Sequence, residues 1–341
     1  MVAVPPAAQP RTLEDVLTAA AAYVGQYEAE LGAMIAEERY DQKVVSPRRR
    51  DVRRRLDSHF LFLRVPGTNE WLGFRDVYAV NGRPVRARED RLAALLIDPT
   101  ADVAARAKAI VGESSRYNLG RQDHTVNVPP LVLDWITDSV RPRLVFSKRG
   151  EERISGVQAW RIGFKEISRP TLVRTPQGGD VLSEGTYWIE PGTGRVLETE
   201  LVSHVEIGPG AGALEDVLAA ATGRYKVRTV RSLVRVSYRP DSRLSVLVPV
   251  EMREKLEVPP YGAAEGTAKY SNFRRSKPRP GSSKVLKVLK VLKVLRVLMV
   301  LRCGAVLALV LCAEVLIRAD LWHHSTLSIS TLSTVSTEHL E

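Results

Sequence analysis

Between Arg143 and Val202, apolar and polar residues alternate in short runs separated by turn residues, RLVFSKRGEERISGVQAWRIGFKE and then GTYWIEPGTGRVLETELV. A period of two broken by Ser-Gly and Pro-Gly-Thr-Gly predicts consecutive antiparallel strands with one buried and one wet face. The alternation resumes in RYKVRTVRSLVRVSYRP, RLSVLVPVEMREKLEV and GTAKYSNFRR, after a break at Gly212 to Thr222. Earlier, RLDSHFLFLRV and WLGFRDVYAV predict two more strands, the second ending at an Asn81-Gly82 hairpin turn.

The period changes to three and four in two places. Leu13, Val16, Leu17, Ala20, Val24, Tyr27, Leu31, Met34 and Ile35 form one stripe, with Thr12 and Asp15 as a capping pair, which predicts a long amphipathic helix. RLAALLI, the stretch starting at Asp98-Pro99-Thr100 and LVLDWITDS predict a helical insert over about 88–140. Residues 12–275 therefore read as one α+β domain, a curved antiparallel sheet of the half-barrel-like meander kind, crossed by the N-terminal helix. Residues 1–11 read as a linker. The opening MVAVPPAAQP lacks the basic start and apolar run of a signal peptide.

The tail, 276–341, has another character. KVL repeats four times from Lys284. Each triplet advances a helix by about 300°, so no face stays apolar, and the period does not suit a strand. Strict triplet repetition points to repetitive coding DNA. Val297 to Ile317 nevertheless gives 21 residues, enough for a candidate transmembrane segment across about 30 Å of hydrocarbon, with Arg302 and Glu314 toward its ends. Under the positive-inside rule such a span leaves residues 1–280 in the cytoplasm, at odds with export.

With 341 residues, 44% of them hydrophobic, the chain has material for a sizeable core. A net charge of +11 favours anionic surfaces. The densest basic run, PRRRDVRRR from Pro47, has no interleaved aromatic residue and leads into a strand, so it reads as a solvated connector, and no nucleic-acid partner is expected. Cys303 and Cys312 both lie in the tail, which excludes a disulfide framework or thiol chemistry in residues 1–302.

Catalytic patterns are missing. His59, His124 and His204 each stand alone, without a second ligand or orienting carboxylate at a useful spacing. No GxSxG elbow, phosphate loop or GxGxxG occurs, and GPGAG at Gly208 reads as a flexible loop. The expectation is a non-enzymatic protein with no cofactor and no metal.

The segments EERY from Glu37, GFRDVYAVNGRPV, GVQAWRIGFKE, GTYWIEPGTGRVLETEL and VPVEMREKLEV together resemble a family of uncharacterised bacterial exported proteins, over about Glu37 to Arg275. From Val145 onward the chain also resembles the half-barrel of periplasmic lipoprotein carriers. Their WIDP-x-TG-x-V hairpin is matched by Trp188, Ile189, Glu190, Pro191, Thr193, Gly194 and Val196, with glutamate in place of aspartate. Locally, Pro191 fixes φ entering the turn and Gly194 supplies a positive φ. The carrier resemblance implies a lipid or acyl chain held between sheet and helix, in the periplasm or cell envelope; the residues alone imply only a sheet with an apolar face. Candidate lining residues are Leu13, Leu17, Val24 and Leu31 of the helix, with Trp160, Ile162 and Trp188 of the sheet. Ile189 must face away if Trp188 faces in. The alternatives are a structural or protein-interaction module with a filled core, and anchoring to a membrane through the tail.

Overall fold

Among the described residues of the computed structural model, eleven antiparallel strands form a single curved, unclosed sheet, and one α-helix lies across one end of it. The structure describes residues 11–31, 33–47, 49–64, 71–85, 115–119, 128–174, 179–207, 228–259 and 262–275. The helix, α1, spans Leu13–Leu31. The strands are β1 (Ala33–Ser46), β2 (Arg49–Arg64), β3 (Trp71–Val80), β4 (Arg83–Pro84), β5 (Leu144–Ile154), β6 (Val157–Glu166), β7 (Leu182–Ile189), β8 (Val196–Ile207), β9 (Arg228–Pro240), β10 (Leu247–Val258) and β11 (Gly262–Arg275).

Their order across the sheet is β4-β3-β2-β1-β11-β10-β9-β8-β7-β6-β5. Every neighbouring pair is consecutive in sequence except β1 and β11. Two meanders, β1–β4 and β5–β11, are thus joined side by side through one long-range pairing that runs from Met34↔Arg275 to Val45↔Ala263.

The helix starts where the capping pair predicts. The Thr12 backbone N–H donates to Asp15 Oδ2 (2.8 Å) and the Asp15 N–H to Thr12 Oγ1 (3.1 Å), so two otherwise orphaned donors are satisfied reciprocally. The helix ends at Leu31, earlier than its apolar stripe suggests. Met34 and Ile35 belong to β1, a strand that replaces the last predicted helical turn. The Asn81-Gly82 turn is present between β3 and β4, both residues having positive φ (51° and 75°).

One further expectation is corrected. The basic run from Pro47 is mostly strand β2: its Arg55 pairs with Asp41 of β1 (2.7 Å) and its Asp51 with Lys43 of β1 (3.1 Å), so cross-strand ion pairs of both polarities tie it to β1. Of the helical insert expected over 88–140, residues 115–119 and 128–140 are described, and there Leu131–Ile136 is a 3₁₀ segment leading through a second short one, Arg141–Arg143, into β5. The remainder of that insert, the tail and its candidate membrane span, and His124 lie outside the described residues.

Candidate functional site

The strand pleat divides the sheet into two faces, and cross-strand register assigns each side chain to one of them. Facing α1 are Met34, Ala36, Glu38, Tyr40 and Gln42 of β1, with Phe62, Phe60, Ser58 and Leu56 opposite them on β2. The same concave face carries Ile162 and Phe164 of β6, Tyr187 and Ile189 of β7, Leu201 of β8, Val234, Val236 and Tyr238 of β9, and Met252 of β10.

α1 and residues 128–143 fill the helix end of this concavity. Leu17, Val24 and Leu31 are buried and Leu13 is partly buried in one continuous core that also contains Ile162. Tyr27 packs in T-shaped contacts with Trp71 and Tyr238, at centroid distances of 5.9 and 6.2 Å. The 128–143 segment is tied to the sheet by polar side chains. The Tyr238 and Tyr187 hydroxyls donate to the carbonyls of Pro129 and Val132 (2.7 Å each), and Trp71 Nε1 donates to Asp134 Oδ1 (2.9 Å). Leu247 N–H donates to the Tyr23 hydroxyl (2.9 Å), whose pKa burial pushes up to about 12. Tyr23, Tyr187 and Tyr238 are thus neutral struts carrying apolar bulk, with their oxygens partnered where the chain crosses the sheet, whereas the buried Tyr27 hydroxyl has no hydrogen-bond partner among the described residues.

The middle of the concave face holds a buried polar network. Arg75 of β3 donates from Nε and Nη2 to the two oxygens of Glu38 (2.5 and 2.8 Å), both side chains being almost wholly inaccessible (3% and 0%). Ser58 Oγ donates to Glu38 Oε2 (2.6 Å), the guanidinium lies 4.3 Å over the Tyr40 ring, and the Tyr40 hydroxyl donates to Glu254. Burial works against the charge on Arg75. The pull of Glu38 and its hydrogen bonds, helped by Tyr40 and Tyr270, outweighs that and raises the pKa. Next to this network, Gln42 accepts the Leu119 N–H (2.9 Å) and donates to Asn118 Oδ1 (3.1 Å), holding residues 115–119 against the sheet.

Beyond the network the lining turns apolar again. Val205, Val230, Leu256 and Val258 are buried on the concave face toward the end of the sheet far from α1.

Of the predicted sheet residues, Trp160 and Ile162 do face α1, Trp160 with Lys148 Nζ 3.5 Å from its ring centroid. Trp188 does not. The β6–β7 register sets Ile189 opposite Trp160 and Tyr187 opposite Ile162, so Trp188 lies on the convex face. There Arg235 covers its ring at 4.6 Å and its Nε1 donates to Glu152 (2.8 Å), with Glu198 directly opposite on β8. Glu38, Arg75 and Tyr40 were absent from the predicted lining. The sequence holds no signal for them: the charges that recur at every second position of β1, Glu37, Arg39, Asp41 and Lys43, lie on the opposite face.

Among the described residues no three His, Cys, Asp or Glu side chains come together as a metal site. His204 lies 3.9 Å from Glu184, and His59 packs on Tyr78 at 5.3 Å between ring centroids. No described helix is long and apolar enough to cross a membrane.

No family model matches the chain, and no curated protein matches it either. Solved structures with a similar course of the chain include a domain of a candidate outer membrane lipoprotein-sorting protein from Vibrio parahaemolyticus, at 9% identity and a TM-score of 0.34, covering 82% of this chain and 100% of that one. A DUF1329 family protein from Desulfovibrio piger gives 10% identity and 0.35, over 80% and 96% of the two chains. A LolA superfamily protein from Nitrosomonas europaea gives 10% and 0.28, over 81% and 98%. Likenesses at this level carry no argument about function.

Proposed function

We propose that this chain is a non-enzymatic binding protein of the cell envelope which holds a lipid or other extended apolar ligand against the concave face of its sheet. The observation that carries the reading is the continuation of the apolar lining past α1: Val205, Val230, Leu256 and Val258, all buried in the same core, carry it along the concave face beyond the end packed by α1 and residues 128–143. An unclosed curved sheet can open a trough for a flexible acyl chain along this row when the side chains over it move aside, with little change in its own hydrogen bonds.

On this reading Leu13, Leu17, Val24, Leu31, Trp160 and Ile162 form the helix-end wall, and Trp188 is excluded by the pleat. A ligand reaching that wall must displace packed side chains. Anchoring through 297–317 is the alternative to a free envelope protein.

The test uses the purified full chain: extraction of co-purified lipid, followed by titration with a fluorescent fatty acid. Saturable binding displaced by unlabelled lipid, and weakened about tenfold or more by Leu256→Trp, is the expected result. Binding unchanged by that substitution moves the ligand off the trough. An absence of saturable binding leaves the second reading, a protein-interaction module with a filled core, which the close aromatic packing of Tyr27, Trp71 and Tyr238 favours at the helix end.

A further inference from the structure

We infer that two copies of this chain join edge to edge through β5. Among the described residues this strand ends the sheet, with no described strand beside one side of its backbone, whereas the opposite edge, β4, is two residues long. Within β5, every residue except Leu144, Phe146, Gly150 and Ile154 is exposed. Val145, at 54%, is among the few exposed large apolar residues of the described chain. A long uncovered edge is a template for another strand unless charged side chains, proline or a bulge blunt it.

In β5 the four charges nearest the middle are divided by sign. Lys148 and Arg149 precede Gly150, and Glu151 and Glu152 follow it, with Arg153 beyond them. The β5–β6 register shifts between Lys148 and Gly150. That irregularity brings Lys148, opposite Ile162, and Glu151, opposite Trp160, onto the same face, where they already touch at 2.7 Å.

An antiparallel copy of β5, related by a two-fold axis between Arg149 and Gly150, then matches face to face along its whole length. Lys148 falls opposite the second copy's Glu151, Ser147 opposite Glu152, Phe146 opposite Arg153, and Val145 opposite Ile154. Each such contact occurs twice, as a closed two-fold interface requires. Lys148 and Glu151 of both copies form a square of alternating charge, and Val145 gains an apolar neighbour. Pairing one residue off this register sets the two strands' faces against each other. The edge therefore specifies both its partner, a second copy of this chain, and its alignment.

The first experiment leaves the sequence unaltered. Full chains labelled with ¹⁴N and ¹⁵N are mixed in non-ionic detergent and treated with a zero-length carbodiimide. A hybrid-mass peptide joining Lys148 to Glu151 supports the pairing, and a dimer lacking that hybrid overturns it, as does a chain that sediments as a monomer at about 100 µM. The second experiment exchanges charges. Lys148→Glu and Glu151→Lys should each raise the dimer dissociation constant about tenfold or more, because like charges then face each other twice. Mixing the two variants should restore a heterodimer. A dimer equally tight in both variants sets the interface elsewhere and overturns the proposal. Should a variant fail to fold, the isotope cross-link on the unaltered chain decides between the same two outcomes.

Discussion

Gly194 lies directly against the backbone of Ala19: a Cβ placed on this glycine would overlap the Ala19 carbonyl and fall 2.6 Å from the Ala20 nitrogen. The residue also has φ of +73° in the β7–β8 turn, where the Gly194 N–H donates to the Glu190 carbonyl (2.9 Å). One missing side chain thus serves the turn and the seating of α1 on the sheet together. Arg11 adds a donor to the Pro191 carbonyl at the same junction.

Gly194→Ala should therefore destabilise the protein through both routes, by about 1–3 kcal/mol from φ alone and by more because α1 must lift. Gly192, two residues earlier in the same turn, has open space around it. Gly192→Ala should shift stability by less than about 0.5 kcal/mol. Chemical denaturation of the two variants side by side checks this, and equal losses would refute the assigned contact.

The hairpin was legible in the sequence because its turn residues are local and their geometry needs no partner. β1 was not. Its inward row contains Glu38 and Gln42, which spoil the alternation that identifies a strand, and Met34 and Ile35 happen to continue the helical stripe of α1. Only the tertiary arrangement explains a carboxylate there, since Arg75 arrives from β3, about forty residues further along. Trp188 and Ile189 were ambiguous for another reason. Both are large and apolar, both are buried, and hydropathy cannot choose which of two consecutive such residues faces the helix; the register with β6 decides it.

Removing either partner of the Glu38–Arg75 pair should be costly. Glu38→Met leaves a guanidinium, and Arg75→Met a carboxylate, without its counter-charge among Phe60, Tyr40 and Tyr270. A loss of about 3–5 kcal/mol is expected for each single substitution, and a smaller loss for the double one, because two charges then no longer need desolvation. A double-mutant cycle in urea measures this, and additive losses would show that the two groups do not act as a pair.

Glu166 provides a pH-dependent prediction. Its side chain is inaccessible at the end of β6, where Oε1 accepts the Leu172 N–H (2.7 Å) and Arg143 Nη2 lies 3.6 Å away. Burial raises its pKa above the ordinary glutamate value, only partly opposed by the Leu172 N–H and Arg143. A carboxyl whose folded pKa lies above its unfolded one binds more protons in the folded state between those two values, so its contribution to stability falls as pH rises through that window. The Glu166→Gln substitution keeps an acceptor for the Leu172 N–H and removes the charge. That variant should thus melt at a higher temperature than the parent at pH 7, with the difference vanishing as pH falls below the unfolded glutamate pKa. A difference of opposite sign at pH 7 would mean that Arg143 dominates.

The boundary of the folded unit can be tested through β11, which among the described strands joins the two meanders by pairing with both β1 and β10. Phe273 is the last core residue described, its ring 6.0 Å from that of Phe62, and β11 ends at Arg275. A chain ending at Arg275 keeps every described pairing and should melt cooperatively within about 2 °C of the full chain, since no described core contact is lost. A chain ending at Thr267 lacks Ala268, Tyr270 and Phe273, leaving only half of the β1–β11 ladder to hold β1–β4 to the rest of the sheet. It should lose the cooperative transition, because the aromatic contacts of Tyr270 with Phe60 and Phe62 go with it. Near-ultraviolet circular dichroism on both truncations separates the outcomes. A chain ending at Arg275 that is unfolded while the full chain is folded would make the tail part of the domain.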